Sequence, residues 1–235
     1  MGRVKIDRTG DGVVKYSPEH WKQLDKLRKH ALKVTTVFAH HGIDSLTYGS
    51  VARGDVSPKS DIDIILLTQI PSYRVELILD ETNLSLNSKK IIQATPNDII
   101  KAHFELEGDV CITSLLTDFT SSPFEFYRFG GALNHKQVEN SKRVPGVDKR
   151  LILIEPNDEG HNESSLIERQ YEASKILGIS QSMIDQRIRV LTRRDKIGRT
   201  GIFLNQDIGL NENIEEELRK IARRNPLIRR RLNRK

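Results

Sequence analysis

Two aspartates, Asp61 and Asp63, stand two residues apart in a segment where polar and apolar residues alternate. A β-strand directs residues i and i+2 to the same face, so the sequence predicts two adjacent carboxylates, with Ile62 and Ile64 in the core. Like charges held together repel each other unless a cation lies between them. Magnesium suits such a pair, because it prefers oxygen and commonly takes one or two carboxylates together with substrate phosphates. The pair therefore predicts a magnesium site.

A glycine and a serine, Gly49 and Ser50, precede the aspartates at a point where a short strand is expected to turn into a helix. Glycine lets the backbone approach a ligand closely, and amides at a helix N-terminus attract phosphate. The serine adds a hydroxyl donor. Arg53 follows, and it either neutralises phosphate charge or pairs with an acid such as Asp55. The turn and the two acids together predict a site for a nucleoside triphosphate and its metal.

The stretch Gly49-Ser50, Ala52-Arg53-Gly54 and Ser60-Asp61-Ile62-Asp63 resembles the signature of the DNA polymerase beta-like nucleotidyltransferase superfamily, above all its minimal members. The likeness is sharp over residues 46–67 and covers the flanking elements by pattern. Residues 124–131, taken with the elements before them, are similar to a stretch of predicted archaeal nucleotidyltransferases. It implies a mixed sheet with helices, two Mg²⁺ ions, and transfer of a nucleoside monophosphate from an NTP to an acceptor hydroxyl with release of pyrophosphate. Members modify nucleic-acid ends, small molecules or proteins, so the acceptor stays open.

The superfamily also uses a third carboxylate from a later strand. Glu105 is the candidate here, because alternation places Phe104 and Leu106 in the core and Glu105 on the opposite face. Glu107 and Asp109 share its parity, and either takes its place if the register differs. The resemblance thus implies metal-binding, catalytic acids and a nucleotide-binding turn. The acids are Asp61, Asp63 and Glu105, and the turn residues are Gly49, Ser50 and Arg53.

The elements that position these residues follow from the hydrophobic pattern. Helical spacing of apolar residues predicts a helix from Pro18 to about His41. A second helix is predicted over 73–79. Predicted strands cover residues 45–48, 61–67, 90–94, 99–106 and 110–116. The mixture predicts an α/β (α+β) fold with a mixed-sheet nucleotidyltransferase core.

Charged and turn residues cluster at 142–146 and predict a boundary there. The expected domains are a nucleotidyltransferase domain, residues 1–145, and a smaller, mainly helical domain, residues 146–235. The second domain opens with a predicted strand over 150–155.

The second domain is similar to a winged helix-turn-helix. Its predicted helices cover 165–177 and 180–192, with a tight bend at Gly178. A basic turn at 193–201 followed by residues 202–204 is the expected wing. Residues expected to contact nucleic acid are Gln181, Arg189, Arg193, Arg194 and Arg199.

Composition narrows the class of protein. The 235 residues include 37% hydrophobic and 30% charged residues, which indicates a globular chain with a polar surface. The one cysteine, Cys111, excludes an internal disulfide and a cysteine-based zinc site. No apolar stretch is long enough to span a bilayer, and residues 1–6 show no secretion signal, so we expect a cytoplasmic protein. The oligomeric state stays open.

Positive charge is concentrated at the end of the chain. Residues 219–235 contain nine lysines and arginines and no acid, against a net charge of +6 for the whole chain. Such a segment is either a solvated helix with a frayed basic end or a surface for nucleic acid or another polyanion. Together with the helix-turn-helix likeness, it supports an alternative function: a nucleic-acid-binding regulator, or an antitoxin-like interaction module, whose catalytic site is vestigial.

Overall fold

A computed structural model describes residues 5–7, 10–81, 83–118, 123–198 and 201–234. The strands are β1 (Gly12–Lys15), β2 (Ser45–Tyr48), β3 (Ile62–Leu66), β4 (Leu86–Gln93), β5 (Lys101–Leu106), β6 (Val110–Leu115), β7 (Ala132–Asn134), β8 (Gly146–Val147), β9 (Ile152–Asn157), β10 (Gly160–Ser165) and β11 (Leu204–Ile208). The helices are α1 (Pro18–His40), α2 (Ser50–Arg53), α3 (Ser72–Asp80), α4 (Pro123–Phe129), α5 (His135–Glu139), α6 (Gln170–Leu177), α7 (Gln181–Ile197), α8 (Ile214–Arg224) and α9 (Pro226–Leu232). This mixture confirms the predicted fold class: a mixed sheet with helices and a helical C-terminal part.

The chain forms two compact units, each built from three separate stretches. Unit 1 comprises Met1–Lys29, Thr47–Ser60 and Ser122–Thr200, and unit 2 comprises His30–Leu46, Asp61–Ser121 and Gly201–Lys235. The expected domain boundary between residues 145 and 146 falls inside unit 1, and that division stays a prediction.

The sheet of unit 2 runs in the order β11-β4-β5-β6-β3. β3 and β6 are parallel, and the other neighbouring strands are antiparallel. One face of this sheet forms the core, where side chains from four strands are fully buried. They include Ile62, Ile64, Ile91, Phe104 and Ile112. The opposite face, which we call the polar face, carries Asp63, Glu105, His103 and Cys111, together with the buried Ile65 and Leu115.

The strand β11 corrects one prediction. We expect residues 202–204 to belong to a wing after the helix-turn-helix, but β11, which begins at Leu204, pairs antiparallel with β4 at the edge of the unit 2 sheet. Leu204 lies opposite Gln93, and Ile208 lies opposite Lys89. The chain after residue 201 is therefore part of unit 2, and α8 and α9 follow within it.

Unit 1 contains an antiparallel sheet in the order β1-β10-β9-β8. Its core joins the sheet to the two helices of the predicted helix-turn-helix. The buried members are Phe129, Val147, Leu151, Leu153, Leu166, Ala173, Leu177, Ile179 and Ile184.

The bend between α6 and α7 has the predicted local chemistry. Gly178 adopts the left-handed conformation that ends α6, and Ser180 caps α7 by accepting a hydrogen bond from the amide of Met183. The helix bounds differ from the prediction, however. The first helix, α6, begins at Gln170 instead of residue 165, because Ser165 is the last residue of β10 and pairs with β9. α7 continues to Ile197, so the predicted basic turn is helical over its first five residues.

Within the described ranges, none of the helices combines the length and the apolar character needed to cross a bilayer.

Candidate active site

Asp61 and Asp63 lie at the start of β3, and the burial of this segment alternates as predicted. Ile62 and Ile64 are 0% exposed, whereas Asp61 is exposed and Asp63 is half-buried. The amide of Ile62 donates to the carbonyl of Asp109 at 2.9 Å, which fixes where the strand begins. Both carboxylates therefore belong to the polar face of the unit 2 sheet.

The strand register aligns three polar side chains on this face. Asp63 lies opposite Cys111 of β6, and Cys111 lies opposite Glu105 of β5. Residues paired in this way point to the same side of a sheet, and neighbouring strands lie about 4.8 Å apart. Asp63 and Glu105 are thus two strands apart, with the cysteine between them.

The pKa of the Cys111 thiol reflects the negative charge around it. Burial raises its pKa, and the carboxylates of Asp63, Glu105 and Asp61 raise it further, to about 12. Each nearby negative charge raises the free energy of the thiolate relative to the neutral thiol. All three predicted acids therefore contribute to one negative potential on this face.

Glu105 lies on β5 between the buried side chains of Phe104 and Leu106, as its alternation predicts. Its carboxylate is already engaged: Ser88 Oγ donates to Oε2 at 2.6 Å, and Lys90 Nζ donates to Oε1 at 2.9 Å. These two bonds hold the pKa of Glu105 below its ordinary value. Glu105 is therefore ionised at neutral pH, and its negative charge is paired with the ammonium group of Lys90.

The two alternatives to Glu105 lie outside the strands. Glu107 and Asp109 are exposed and belong to the turn that joins β5 to β6. Asp109 has a positive φ of 58°, as tight turns between antiparallel strands often require. Of the three candidate acids, Glu105, Glu107 and Asp109, Glu105 is the one that lies within a strand.

The donor set fits magnesium only in part. Among the described residues, no group of three or more His, Cys, Asp or Glu side chains could hold a metal ion. Asp61 and Asp63 still offer two hard oxygen donors, which suffices for Mg²⁺ when substrate phosphates and water complete its shell. Glu105 would first have to exchange Lys90 for the metal.

The Gly49 turn lies in unit 1, between β2 and α2, and confirms the predicted change from strand to helix. Gly49 has φ 83° and ψ −147°, a conformation available to glycine, and its amide donates to the carbonyl of Gly131 at 2.9 Å. A Cβ atom on Gly49 would meet nothing within 4 Å, so the turn has an open side. Ser50 Oγ donates to Ser60 Oγ at 3.3 Å.

A buried arginine that sequence analysis missed holds the carbonyl end of α2. Arg28 donates to the carbonyls of Val51 and Ala52, and also to those of Ser141 and Lys142, at distances of 2.6 to 3.5 Å. Its position in the buried stripe of α1 was a signal, since a charged residue there needs several acceptors. The amides of Ala52 and Arg53 donate to the carbonyl of Gly49 at 3.1 Å, so both ends of this short helix are held within the protein.

Arg53 takes the second of its two predicted alternatives and pairs with Asp55. Its Nε and Nη2 atoms each donate to the Asp55 carboxylate at 2.9 Å, and Nη1 donates to the carbonyl of Gly130 at 2.6 Å. The Arg53 side chain is 8% exposed. In this structure Arg53 therefore stabilises the loop after α2, and its role toward nucleotide stays a prediction.

The predicted nucleic-acid-contacting residues lie on α7, apart from Arg199, which is outside the described residues. Gln181, Arg189, Arg193 and Arg194 are exposed. We expected Arg193 and Arg194 in a turn, and they instead occupy the last turns of the helix. With Ser182, Gln186 and Lys196, Arg189 and Arg193 form a stripe at helical spacing along one side of α7.

Comparisons with known proteins give one result. No curated protein and no solved structure shows a significant match to the chain. The family described as "Nucleotidyltransferase domain" matches residues 27–179, more than half of the chain. The match includes the Gly49 turn, both aspartates and Glu105, and ends just before α7. The chain is therefore a member of the nucleotidyltransferase domain family.

Proposed function

We propose that the protein is a magnesium-dependent enzyme that transfers a nucleoside monophosphate from an NTP to an acceptor hydroxyl. The observation that carries the proposal is the placement of Asp61 and Asp63 at the start of β3, on the polar face of a sheet whose other face is the core. Family membership supports the same reaction class.

Asp61 and Asp63 are the residues that would hold Mg²⁺. When bound, the ion neutralises charge on the phosphates and on the attacking and departing oxygens. The Gly49 turn binds phosphate through the first amides of α2, those of Ser50 and Val51, with the Ser50 hydroxyl as a further donor. Because Arg28 fixes the far end of α2, the turn keeps its shape before substrate arrives.

The transfer itself exchanges one oxygen on phosphorus for another. The acceptor oxygen forms a bond to the α-phosphorus of the NTP, the bond from that phosphorus to the β-phosphate oxygen breaks, and pyrophosphate leaves with the electron pair. The acceptor proton passes to a base. Glu105 is the predicted third acid and is ionised, but its low pKa and its bond to Lys90 make it a weak base in this arrangement.

Replacing Asp63 by Asn tests the proposal, because Asn keeps the size of the side chain and removes its charge. We expect Asp63→Asn to lower transfer by more than about 100-fold, since even outer-shell changes at metal sites cost about 10- to 100-fold. Calorimetry should show weaker magnesium-dependent NTP binding. Asp80→Asn, at the exposed end of α3 in the same unit, is the matched control and should behave as wild type. Near-normal transfer by a folded Asp63→Asn protein would rule the mechanism out.

Nucleic-acid binding by α7 is the second candidate function. The observation that favours it is the exposed stripe of polar and basic residues along a helix that follows a tight bend. Gln186 lies within the stripe and can read base edges, while Arg189 and Arg193 can contact phosphates. In a binding assay against duplexes of differing sequence, Gln186→Ala should reduce discrimination between sequences. Equal affinity of the wild type for every duplex would count against this function.

A further inference from the structure

The basic end of the chain is folded. Residues 214–232, which we call the C-terminal hairpin, comprise α8 and α9 and lie beyond the region matched by the family. Asn225 joins the two helices: its side chain accepts hydrogen bonds from the amides of Leu227 and Ile228 and so caps α9. The described residues, which run to 234, thus place the basic segment on two helices. Both expectations for it, a solvated helix with a frayed end and a surface for a polyanion, stay predictions.

Several contacts attach the hairpin to the rest of unit 2. Ile214, Leu218 and Ala222 follow each other at four-residue spacing and are buried, so one side of α8 faces the core. Glu215 accepts hydrogen bonds from the amide and hydroxyl of Ser72 at 2.6 and 2.5 Å. The inward side of α8 is thus fixed over its whole length.

Two buried cations complete the attachment. Lys89 is 1% exposed and donates to the carbonyls of Leu210 and Glu212, just before α8. Arg231 is 2% exposed, and it donates to the carbonyls of Asp98 and Asp118. Because these cations point inward, they add nothing to the charge of the outer surface.

The outer side of the hairpin and the residues after it carry only positive charge beyond Glu217. Arg219 and Arg223 are four residues apart on α8, as are Lys220 and Arg224, so two adjacent rows of cations run along it. α9 and the residue after its cap add three more. The exposed cations are Arg219, Lys220, Arg223, Arg224, Arg229, Arg230 and Arg234.

Residues 219–235, which include the seven exposed cations, account for the basic character of the protein. Nine of its lysines and arginines lie in residues 219–235, and the chain as a whole has a net charge of +6, so residues 1–218 carry a net charge of −3. A polyanion approaching the molecule meets the positive potential of the hairpin.

We propose that the outer side of the C-terminal hairpin binds the phosphate backbone of double-stranded nucleic acid. Six of the seven exposed cations are arginines, whose planar guanidinium matches phosphate oxygens in two-bond geometry. Surfaces for single strands add aromatic side chains on which bases stack, and residues 214–234 contain none. The surface thus holds a duplex through its backbone and without sequence preference. This binding does not require nucleotidyl transfer.

The test measures duplex binding in the absence of NTP and metal. Fluorescence anisotropy of a labelled duplex is followed over a range of salt concentrations, for the full chain and for R223Q/R224Q/R229Q/R230Q. Gln keeps the helix propensity, and all four residues are exposed. Each lost phosphate contact lowers the salt slope of log K by about 0.9, so the slope should fall by about 3 to 4. Affinity should fall by more than tenfold at low salt.

A matched variant separates this surface from net charge. K22Q/K26Q/K29Q/K33Q removes the same four charges from the exposed side of α1, and its salt slope should stay that of wild type. R223K/R224K/R229K/R230K should keep the slope, because backbone binding needs the charges. If the fourfold Gln variant does not fold, the single exposed substitution R230Q should still lower the slope by about 0.9.

Three results would overturn the proposal. Equal loss in the α1 and hairpin variants would show that net charge alone matters. An unchanged slope in the folded hairpin variant would place binding elsewhere, for example on α7. Tighter binding of a single-stranded oligonucleotide or of inorganic polyphosphate than of the duplex would show that the surface does not fit duplex geometry.

Discussion

A Cβ atom placed on Gly131 would lie 2.6 Å from the Cγ of Arg53. The same glycine has a positive φ of 80°, and its carbonyl accepts the hydrogen bond from the amide of Gly49. One residue thus braces the Gly49 turn and leaves room for the arginine stem beneath it. The order of the proposed phosphate-binding turn therefore depends on a glycine some eighty residues further along the chain.

We expect Gly131→Ala to destabilise the protein by about 2 to 5 kcal/mol. The left-handed backbone costs about 1 to 2 kcal/mol for a residue with a Cβ, and the forced contact with Arg53 adds about 1 to 3 kcal/mol. Gly178→Ala is the matched control, because Gly178 has φ 61° but nothing within 4 Å of a Cβ. Urea unfolding measures both. Equal losses for the two variants would show that the contact with Arg53 carries no cost.

Asp55→Asn should lower the free energy of unfolding by about 3 kcal/mol. The substitution keeps the shape of Asp55 but leaves the charge of a nearly buried Arg53 without its counterion, and breaking such a pair costs about 3 to 5 kcal/mol. A double-mutant cycle with Arg53→Met isolates the pair, because the second change removes the stranded charge and should recover part of the loss. Strict additivity of the two changes would contradict the pairing.

The raised pKa of Tyr16 predicts that the protein loses stability at alkaline pH. Burial, and then the charge of Asp55, raise its pKa from 10.0 to about 12, and its hydroxyl lies 2.7 Å from Nδ1 of His161. The folded state therefore binds the phenolic proton more tightly than the unfolded state. The contribution of Tyr16 to the free energy of unfolding is fully present below pH 10. As pH rises from 10 toward 12, the free energy of unfolding falls by up to about 1.4 kcal/mol per pH unit.

Tyr16→Phe supplies the comparison, because lysines also titrate in this range. Unfolding curves recorded from neutral to alkaline pH should fall more steeply for wild type than for the variant between pH 10 and 12. Parallel curves would mean that Tyr16 has the same pKa in both states.

Local periodicity was enough to predict the placement of the acids. Asp63 and Glu105 each alternate with buried neighbours, and a period of two fixes the face of a strand without knowledge of its partners. The bond between Glu105 and Lys90 could not be found in this way, because it depends on the register of β4 against β5. Local chemistry predicted both the conformation of the Gly49 turn and its proposed role toward phosphate, and the family resemblance implied the same role.

The wrong predictions share a physical cause. The helix predicted from residue 165 begins at Gln170, because Ser165 ends β10, a strand of little apolar character that forms by pairing with β9. Residues 193–197 are mostly charged and were assigned to a turn, yet arginine and lysine are good helix formers and Gly198 supplies the end of α7. In the C-terminal hairpin, the inward position of Arg231 depends on carbonyls more than a hundred residues away.

The same substitution is therefore expected to lower stability at Arg231 and to leave it almost unchanged at Arg230. Arg231→Gln removes a buried side chain and its bonds to the carbonyls of Asp98 and Asp118, and should cost about 2 kcal/mol and lower the hydrogen-exchange protection of α9. Arg230→Gln, next to it but exposed, should change stability by less than about 0.5 kcal/mol. Both variants lose one charge, so a difference between them reports attachment of the hairpin. Equal stability would show that α9 is held by its apolar contacts alone.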